Sequence, residues 1–162
     1  MRVYLSGAIQ GYGFDKANEW REEATRLLSK KGHTVLNPLR NRMWKEAKEQ
    51  AQFNINELVH RDFLDVSKCD VLLVECTNPN RNYWGTISEV VIAREVCRPA
   101  KPVIAFVGQN RMDDDNGEHY SFWMDHWCTA IVATMEEAID YICKVLDYED
   151  TDNRRRKWLR KR

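Results

Sequence analysis

Net charge is the first thing this 162-residue sequence lacks, since 25 Lys and Arg offset 25 Asp and Glu. The balance is uneven along the chain. Seven of the nine residues from Arg154 to Arg162 are Arg or Lys, so the tail is basic and the rest is acidic. No apolar run approaches the ~20 residues that a membrane-spanning helix needs, which excludes a spanning segment of that kind. The five cysteines (Cys69, Cys76, Cys97, Cys128, Cys143) are odd in number and lack C-x-x-C spacing. That argues against a disulfide framework or a zinc knuckle and for reduced thiols. Met1-Arg2-Val3-Tyr4-Leu5 enters a strand-like run with no signal-peptide pattern, so a cytoplasmic location is expected. Neither a dinucleotide fingerprint nor a P-loop occurs. Asp113-Asp114-Asp115 lacks calcium-loop spacing, and His119, His126 and Cys128 have no second cluster to complete a metal site. No metal or cofactor is expected.

What is present alternates between two periods. Arg2–Ser6 reads as a first strand, followed by the glycine-rich loop Gly7-Ala8-Ile9-Gln10-Gly11-Tyr12-Gly13 and a helix from Asp15 to Lys30 that stops at Lys31-Gly32. His33–Pro38 reads as a second strand, with His33 a strand-edge residue without chemistry. Residues 39–50 are rich in Arg, Lys and Glu and read as a loop with some helix that could border a site. Ala51–Lys68 reads as a helix, Asp70–Cys76 as a strand apolar enough to be buried on both faces, and Pro102–Val107 as another. The polar 108–117 stretch reads as a solvated loop. The aromatic segment 118–128 could wall a pocket, stack on a base, or pack in the core. Ala130–Ala133 and Met135–Leu146 close the chain as strand and helix. Alternation of this kind predicts an α/β fold: one doubly wound, five-stranded parallel sheet of the flavodoxin/Rossmann-like class, over residues 1–147. Residues 148–162 read as a charged tail, solvated and disordered. Trp158 and Leu159 leave a short amphipathic element open, and the cluster of positive charge leaves nucleic-acid binding open.

In such sheets ligands sit at the carboxyl ends of the strands, where the strand order reverses. That places the Ser6–Gly13 loop, a helix N-terminus suited to an anion, beside the stretch after the third strand. This second stretch, Tyr83-Trp84-Gly85-Thr86-Ile87-Ser88-Glu89, reads as a T-x-x-E capping box, with Thr86 as N-cap and Gly85 giving room to turn. A carboxylate in a first helical turn would be held ionised by the helix dipole. On the preceding helix, Ile55, Leu58, Val59, Phe63 and Val66 recur at helical spacing. Projection puts Asp62 near the middle of that face and Asp65 toward its edge. Asp62 is then either a satisfied buried acid or an acid facing a ligand. Two carboxylates at one crevice fit a retaining glycosidic mechanism, with a carboxylate attacking the anomeric carbon and an acid assisting departure. Aromatic lining would suit a nucleobase.

Three blocks, Val3-Tyr4-Leu5-Ser6-Gly7, His60-Arg61-Asp62-Phe63-Leu64 before Cys69-Asp70-Val71, and Gly85-Thr86-Ile87-Ser88-Glu89 before Val90-Val91-Ile92-Ala93, occur in this order. Together they resemble the nucleoside 2-deoxyribosyltransferases and their relatives that hydrolyse nucleoside 5′-monophosphates, over about residues 2–146. The resemblance implies that Glu89 is the nucleophile forming a covalent glycosyl intermediate, that Tyr4 orients it, and that Asp62 manages the proton of the departing base. It implies substrate contacts from Ser6, Gly7, Ala8, Ile9, Gly11, Tyr83, Gly85 and Thr86, and no cofactor. It also implies a homo-oligomer with shared active sites, because the segment around Ser121 corresponds to one that reaches a neighbouring subunit. Many deoxyribosyltransferases carry an acid six residues before the nucleophile, and Tyr83 stands there instead. With the Ser6–Gly13 loop similar to a phosphate-holding loop, this favours a nucleotide over a nucleoside, with a free base or water as acceptor. A non-catalytic nucleotide-binding module is the alternative.

Overall fold

The computed structural model describes residues 1–9, 13–40, 55–109 and 122–146. Gly11, Ser121 and the basic tail lie outside them. Strands β1 (Arg2–Gly7), β2 (Thr34–Leu36), β3 (Val71–Glu75), β4 (Val103–Phe106) and β5 (Ala130–Val132) alternate with helices α1 (Phe14–Lys30), α2 (Ile55–Lys68), α3 (Trp84–Val91), α4 (Phe122–Trp127) and α5 (Met135–Tyr141). Helices α3 and α5 each run on through a π-helical turn, Ile92–Val96 and Ile142–Leu146. All pairings are parallel, in the order β2-β1-β3-β4-β5. This is the flavodoxin/Rossmann-like sheet that the alternation predicts, and its order reverses between β1 and β3.

Period-two alternation divides each strand between two cores. Tyr4, Leu72, Val74, Val103 and Ala105 face one side, where Val66 of α2, Val90 of α3 and Met124 of α4 cover them. Val3, Leu5, Val71, Leu73, Ile104 and Phe106 face the other, covered by Ala24 and Leu28 of α1 and Ala138 and Ile139 of α5. Strands β3 and β4 are buried at every position, as the unbroken apolar runs Val71–Val74 and Val103–Phe106 require, and Glu75 at the end of β3 is buried with them. Helix α1 ends at Lys30 with Lys31 as its C-cap, and Gly32 follows at φ +82°, a conformation that glycine adopts without strain.

Two local expectations are corrected. His33 is buried, with Nδ1 at 3.3 Å from the Met1 amine and Nε2 at 3.3 Å from Cys143 Sγ. The face assigned to α2 is only in part its core face: Val66 is buried and Leu58 half-buried, but Val59 and Phe63 turn outward. Val59 is 61% and Phe63 38% exposed, and the line packed inward runs through Asp65, Val66 and then Cys69 just past the helix end. Asp65 is therefore buried more deeply than Asp62, and Arg40 Nη2 pairs with its Oδ2. Neighbouring elements, rather than local periodicity, decide which stripe of this helix turns in.

Candidate active site

Tyr4 and Ser6 lie two residues apart on β1 and so point to the same face of the sheet. Helix α3 crosses that face. Its inward stripe, Thr86, Val90 and Ala93, repeats at helical spacing, and Glu89 sits beside Val90 on the same side. The Tyr4 hydroxyl donates to Glu89 Oε1 at 2.6 Å, and the Ser6 hydroxyl donates to Oε2. Both oxygens of one carboxylate are thus held by the end of β1, at the strand-order switch point.

Helix α3 does not begin where the capping-box reading puts it. It starts at Trp84, with Tyr83 as N-cap and the Asn82 side chain accepting from the Trp84 amide at 3.0 Å. Thr86 is the third helical residue, and its buried hydroxyl has no hydrogen-bond partner among the described residues. Glu89 lies in the second turn rather than the first. A Cβ added to Gly85 would meet nothing within 4 Å, so this glycine is no turn requirement and leaves open surface at the helix start.

Glu89 is accordingly not held ionised by a helix terminus. Burial pushes its carboxyl up to about 7, opposed by the hydrogen bonds from Ser6 and Tyr4, reinforced by the charge of Asp62 and eased by that of Arg21. The residue is only partly buried, yet the carboxylate itself is enclosed. Tyr4 is raised well above the ordinary phenol value, first by burial and then by the negative charges of Glu89 and Asp62. Its hydroxyl therefore stays a donor across the physiological range. Asp62 acts electrostatically on both groups, which places it at the same site. Its Oδ1 accepts from Arg61 Nη2 at 3.1 Å, and Arg61 also donates to the Pro38 carbonyl.

The other candidate residues divide. Ser6 is committed to Glu89. Gly7 is the last residue of β1, where a Cβ would come within 2.9 Å of Trp20 Cζ2 and 3.1 Å of Glu75 Cβ, so close packing explains it. Ala8 and Ile9 continue past the strand end. Tyr83 packs on the Glu89-side core, and its hydroxyl is directed to the end of β3, accepting from Asn78 N at 3.3 Å and donating to Glu75 Oε1 at 3.5 Å. Sequence reasoning overlooked Arg21, a fully buried cation whose Nη2 donates to the Gly7 carbonyl at 2.7 Å. Its signal was present: Ala17, Arg21, Ala24 and Leu28 form one helical stripe, with a cation at a core position. Burial pushes the thiols of Cys69 and Cys128 up to about 12, which disqualifies both as thiolate nucleophiles at neutral pH. Among the described residues no group of three or more His, Cys, Asp or Glu is placed to hold a metal, and no helix is long and apolar enough to cross a membrane.

No protein-family model matches the chain, and no curated protein matches it in sequence. Solved structures do match in fold. A 2-deoxyribosyltransferase from Bacillus psychrosaccharolyticus has TM-score 0.63 at 18% identity, over 87% of this chain and 92% of that one. A 2-deoxyribosyltransferase from Leishmania mexicana has TM-score 0.62 at 15% identity, over 89% and 97%. The CMP N-glycosidase BcmB from Clostridium botulinum has TM-score 0.50 at 14% identity, over 88% and 98%. The chain therefore shares its fold, over nearly its whole length, with the 2-deoxyribosyltransferases, the group that its sequence motifs resemble.

Proposed function

We propose that the protein cleaves the N-glycosidic bond of a nucleoside or nucleoside 5′-monophosphate through a covalent glycosyl–Glu89 intermediate. The observation that carries this reading is the Glu89 carboxylate, enclosed at the sheet's switch point with one oxygen on Tyr4 and the other on Ser6. Two fixed hydroxyls aim such a group at one direction of attack. A carboxylate that titrates near neutral pH is also less solvated, and so more reactive, than an exposed one.

In the first step Glu89 attacks C1′ of the sugar, the C1′–N bond breaks, and its electron pair leaves with the base. Asp62 relays the proton that the departing base takes up from solvent. In the second step the nitrogen of a second base, or water, attacks C1′ and releases Glu89, and Asp62 takes the proton lost by the attacking group. The fold shared with proteins described as 2-deoxyribosyltransferases and a CMP N-glycosidase supports this class of reaction. Ala8 and Ile9, beyond the committed Ser6 and Gly7, are the described part of the first loop proposed to hold a 5′-phosphate; Gly11, the other candidate, lies outside the described residues. The open surface at Gly85 gives the sugar an approach to α3. Exposed Trp84 and Ile87 on α3, with Val59 and Phe63 on α2, support assembly into a homo-oligomer whose sites are shared, with Ser121 contributed by a neighbour.

The test is chromatographic. The protein is incubated with deoxynucleosides, ribonucleosides and their 5′-monophosphates, each with and without a second free base. Base released only from monophosphates marks a nucleotide N-glycosidase, and a new nucleoside formed only with acceptor base marks a transferase. Binding without release from any substrate would replace the proposal with a non-catalytic binding module.

A further inference from the structure

The core-facing stripe of α1 (Ala17, Arg21, Ala24, Leu28) carries a cation with no exposed surface. Burying a guanidinium is costly, and the group keeps its charge wherever it is placed. The position of Arg21 therefore needs a reason. Its Nη1 donates to the Ala17 carbonyl in its own helix, and its guanidinium lies 4.6 Å from the Trp20 ring centre. Its Nη2 leaves the helix and donates to the Gly7 carbonyl at 2.7 Å, at the end of β1. A Cβ on Gly7 would come within 3.3 Å of that Nη2, so the missing side chain is what lets the cation reach the strand. Ser6, one residue back, points to the other face of the sheet and donates to Glu89 Oε2. A fixed cation and an enclosed carboxylate thus meet the same strand end from opposite faces.

Among the described residues, the titratable and charged groups acting on Glu89 come from three elements: Tyr4 on β1, Asp62 on α2 and Arg21 on α1. Burial and then Asp62 push the Glu89 carboxyl up, whereas the bonds from Ser6 and Tyr4 and then the charge of Arg21 push it down. We propose that Arg21 is a positioning residue for Glu89, holding the end of β1 from behind the sheet and setting a permanent positive charge against the carboxylate without touching substrate. The proposal rests on the glycosidic reading of Glu89 and deepens it. A carboxylate nucleophile must be ionised before it attacks, so Arg21 governs how much of the enzyme is ready to react.

Nuclear magnetic resonance of carboxyl-labelled glutamate tests this, the Glu89 signal being the one that Glu89→Gln removes. Arg21→Gln keeps a donor for the Gly7 carbonyl and deletes the charge, so the Glu89 midpoint should move to higher pH. Arg21→Lys keeps the charge and gives up the planar fork, so the midpoint should stay near that of wild type. In kcat/KM the shift in Arg21→Gln should read as a loss of about threefold or more near pH 6 that is recovered on the high-pH plateau. A purely structural arginine would lower the plateau in both variants and leave the midpoint in place. That result, or equal movement of the midpoint in both variants, would overturn the proposal. If Arg21→Gln does not fold, Trp20→Leu replaces it: opening the guanidinium to water weakens its field, so the midpoint should rise by less, and an unmoved or lowered midpoint would overturn the proposal. The titration needs no substrate. A chain that cleaves nothing would therefore lose the nucleophile reading, while a raised midpoint would still uphold the coupling of Arg21 to Glu89.

Discussion

The same four-residue pattern, T-x-x-E, occurs at Thr86–Glu89 and at Thr134–Glu137, and the fold uses the two in opposite ways. At Thr134 it is a helix cap: the Thr134 hydroxyl accepts from the Glu137 amide at 3.2 Å, and Glu137 Oε2 accepts from the Thr134 amide at 3.0 Å. At Thr86 helix α3 is already under way, so the Glu89 amide that a Thr86 cap would satisfy lies past the unbonded amides of the first turn. The threonine is turned into the core and the glutamate onto the end of β1. A capping box is solvated and local, whereas the Glu89 contacts span 85 residues to Tyr4 and 83 to Ser6. What separates the two is where the chain begins to coil, and at α3 Asn82 decides that by taking the Trp84 amide.

The largest expected contrast between the two glutamates is in turnover. Glu89→Gln should lower glycosidic cleavage by about a thousandfold or more, as loss of a covalent nucleophile does. Glu137→Gln should leave turnover unchanged. Assays of released base across the two variants check this, and equal effects would remove the nucleophile assignment. Stability should respond in the opposite sense. Because the Glu89 carboxyl is raised from 4.5 to about 7 in the folded chain, the folded state holds a proton that the unfolded state has released between those values. The stability tied to this group is then fully present below 4.5 and lost as pH rises through 7. Glu89→Gln should remove that loss, gaining about 2–3 kcal/mol over wild type at pH 8 in denaturant titrations.

The pH profile sharpens the same contrast at smaller magnitude. A nucleophilic Glu89 must be ionised, so kcat/KM should fall as pH drops below about 7. Ser6→Ala and Tyr4→Phe each remove a hydrogen bond that favours the carboxylate, so they should move this limb to higher pH and cost about 10–100-fold in kcat. Asp62→Asn removes a negative charge beside Glu89 and should move the limb to lower pH, while slowing release of poorly leaving bases most. An unmoved limb in all three would show that another group controls the profile.

The sheet was readable because Val71–Val74 and Val103–Phe106 are unbroken apolar runs between helices, a pattern with few topological solutions. Glu89 was readable from its place after a buried strand, whereas Tyr4 as its partner was readable only through the resemblance to a family, since nothing local says that residues 85 positions apart will meet. The roles of Thr86 and Gly85 were misread for the reason that separates the two T-x-x-E stretches. Asp62 and Asp65 were ranked wrongly because Val59 and Phe63, taken to mark the core side of α2, are left outside it. Arg21 and Glu75 were readable in principle, as charges at positions where the helical and strand periods both call for apolar side chains.

The two threonines give the smallest effects and the most direct comparison. Thr134→Ala removes a side-chain acceptor from a helix start and should cost about 0.5–2 kcal/mol. Thr86→Val replaces a buried hydroxyl that has no partner among the described residues with a methyl group of nearly the same volume. No hydrogen bond among the described residues is lost by that change, and desolvation of one hydroxyl is avoided, so stability should hold or rise by about 1 kcal/mol. Thermal unfolding of both variants measures the difference. If Thr86→Val instead lowers kcat while leaving the melting temperature intact, the hydroxyl serves a bound ligand, and the stretch that looked like a cap is wholly given over to the site. A loss of stability matching that of Thr134→Ala would mean that Thr86 caps α3 after all, and the distinction between the two stretches would fail.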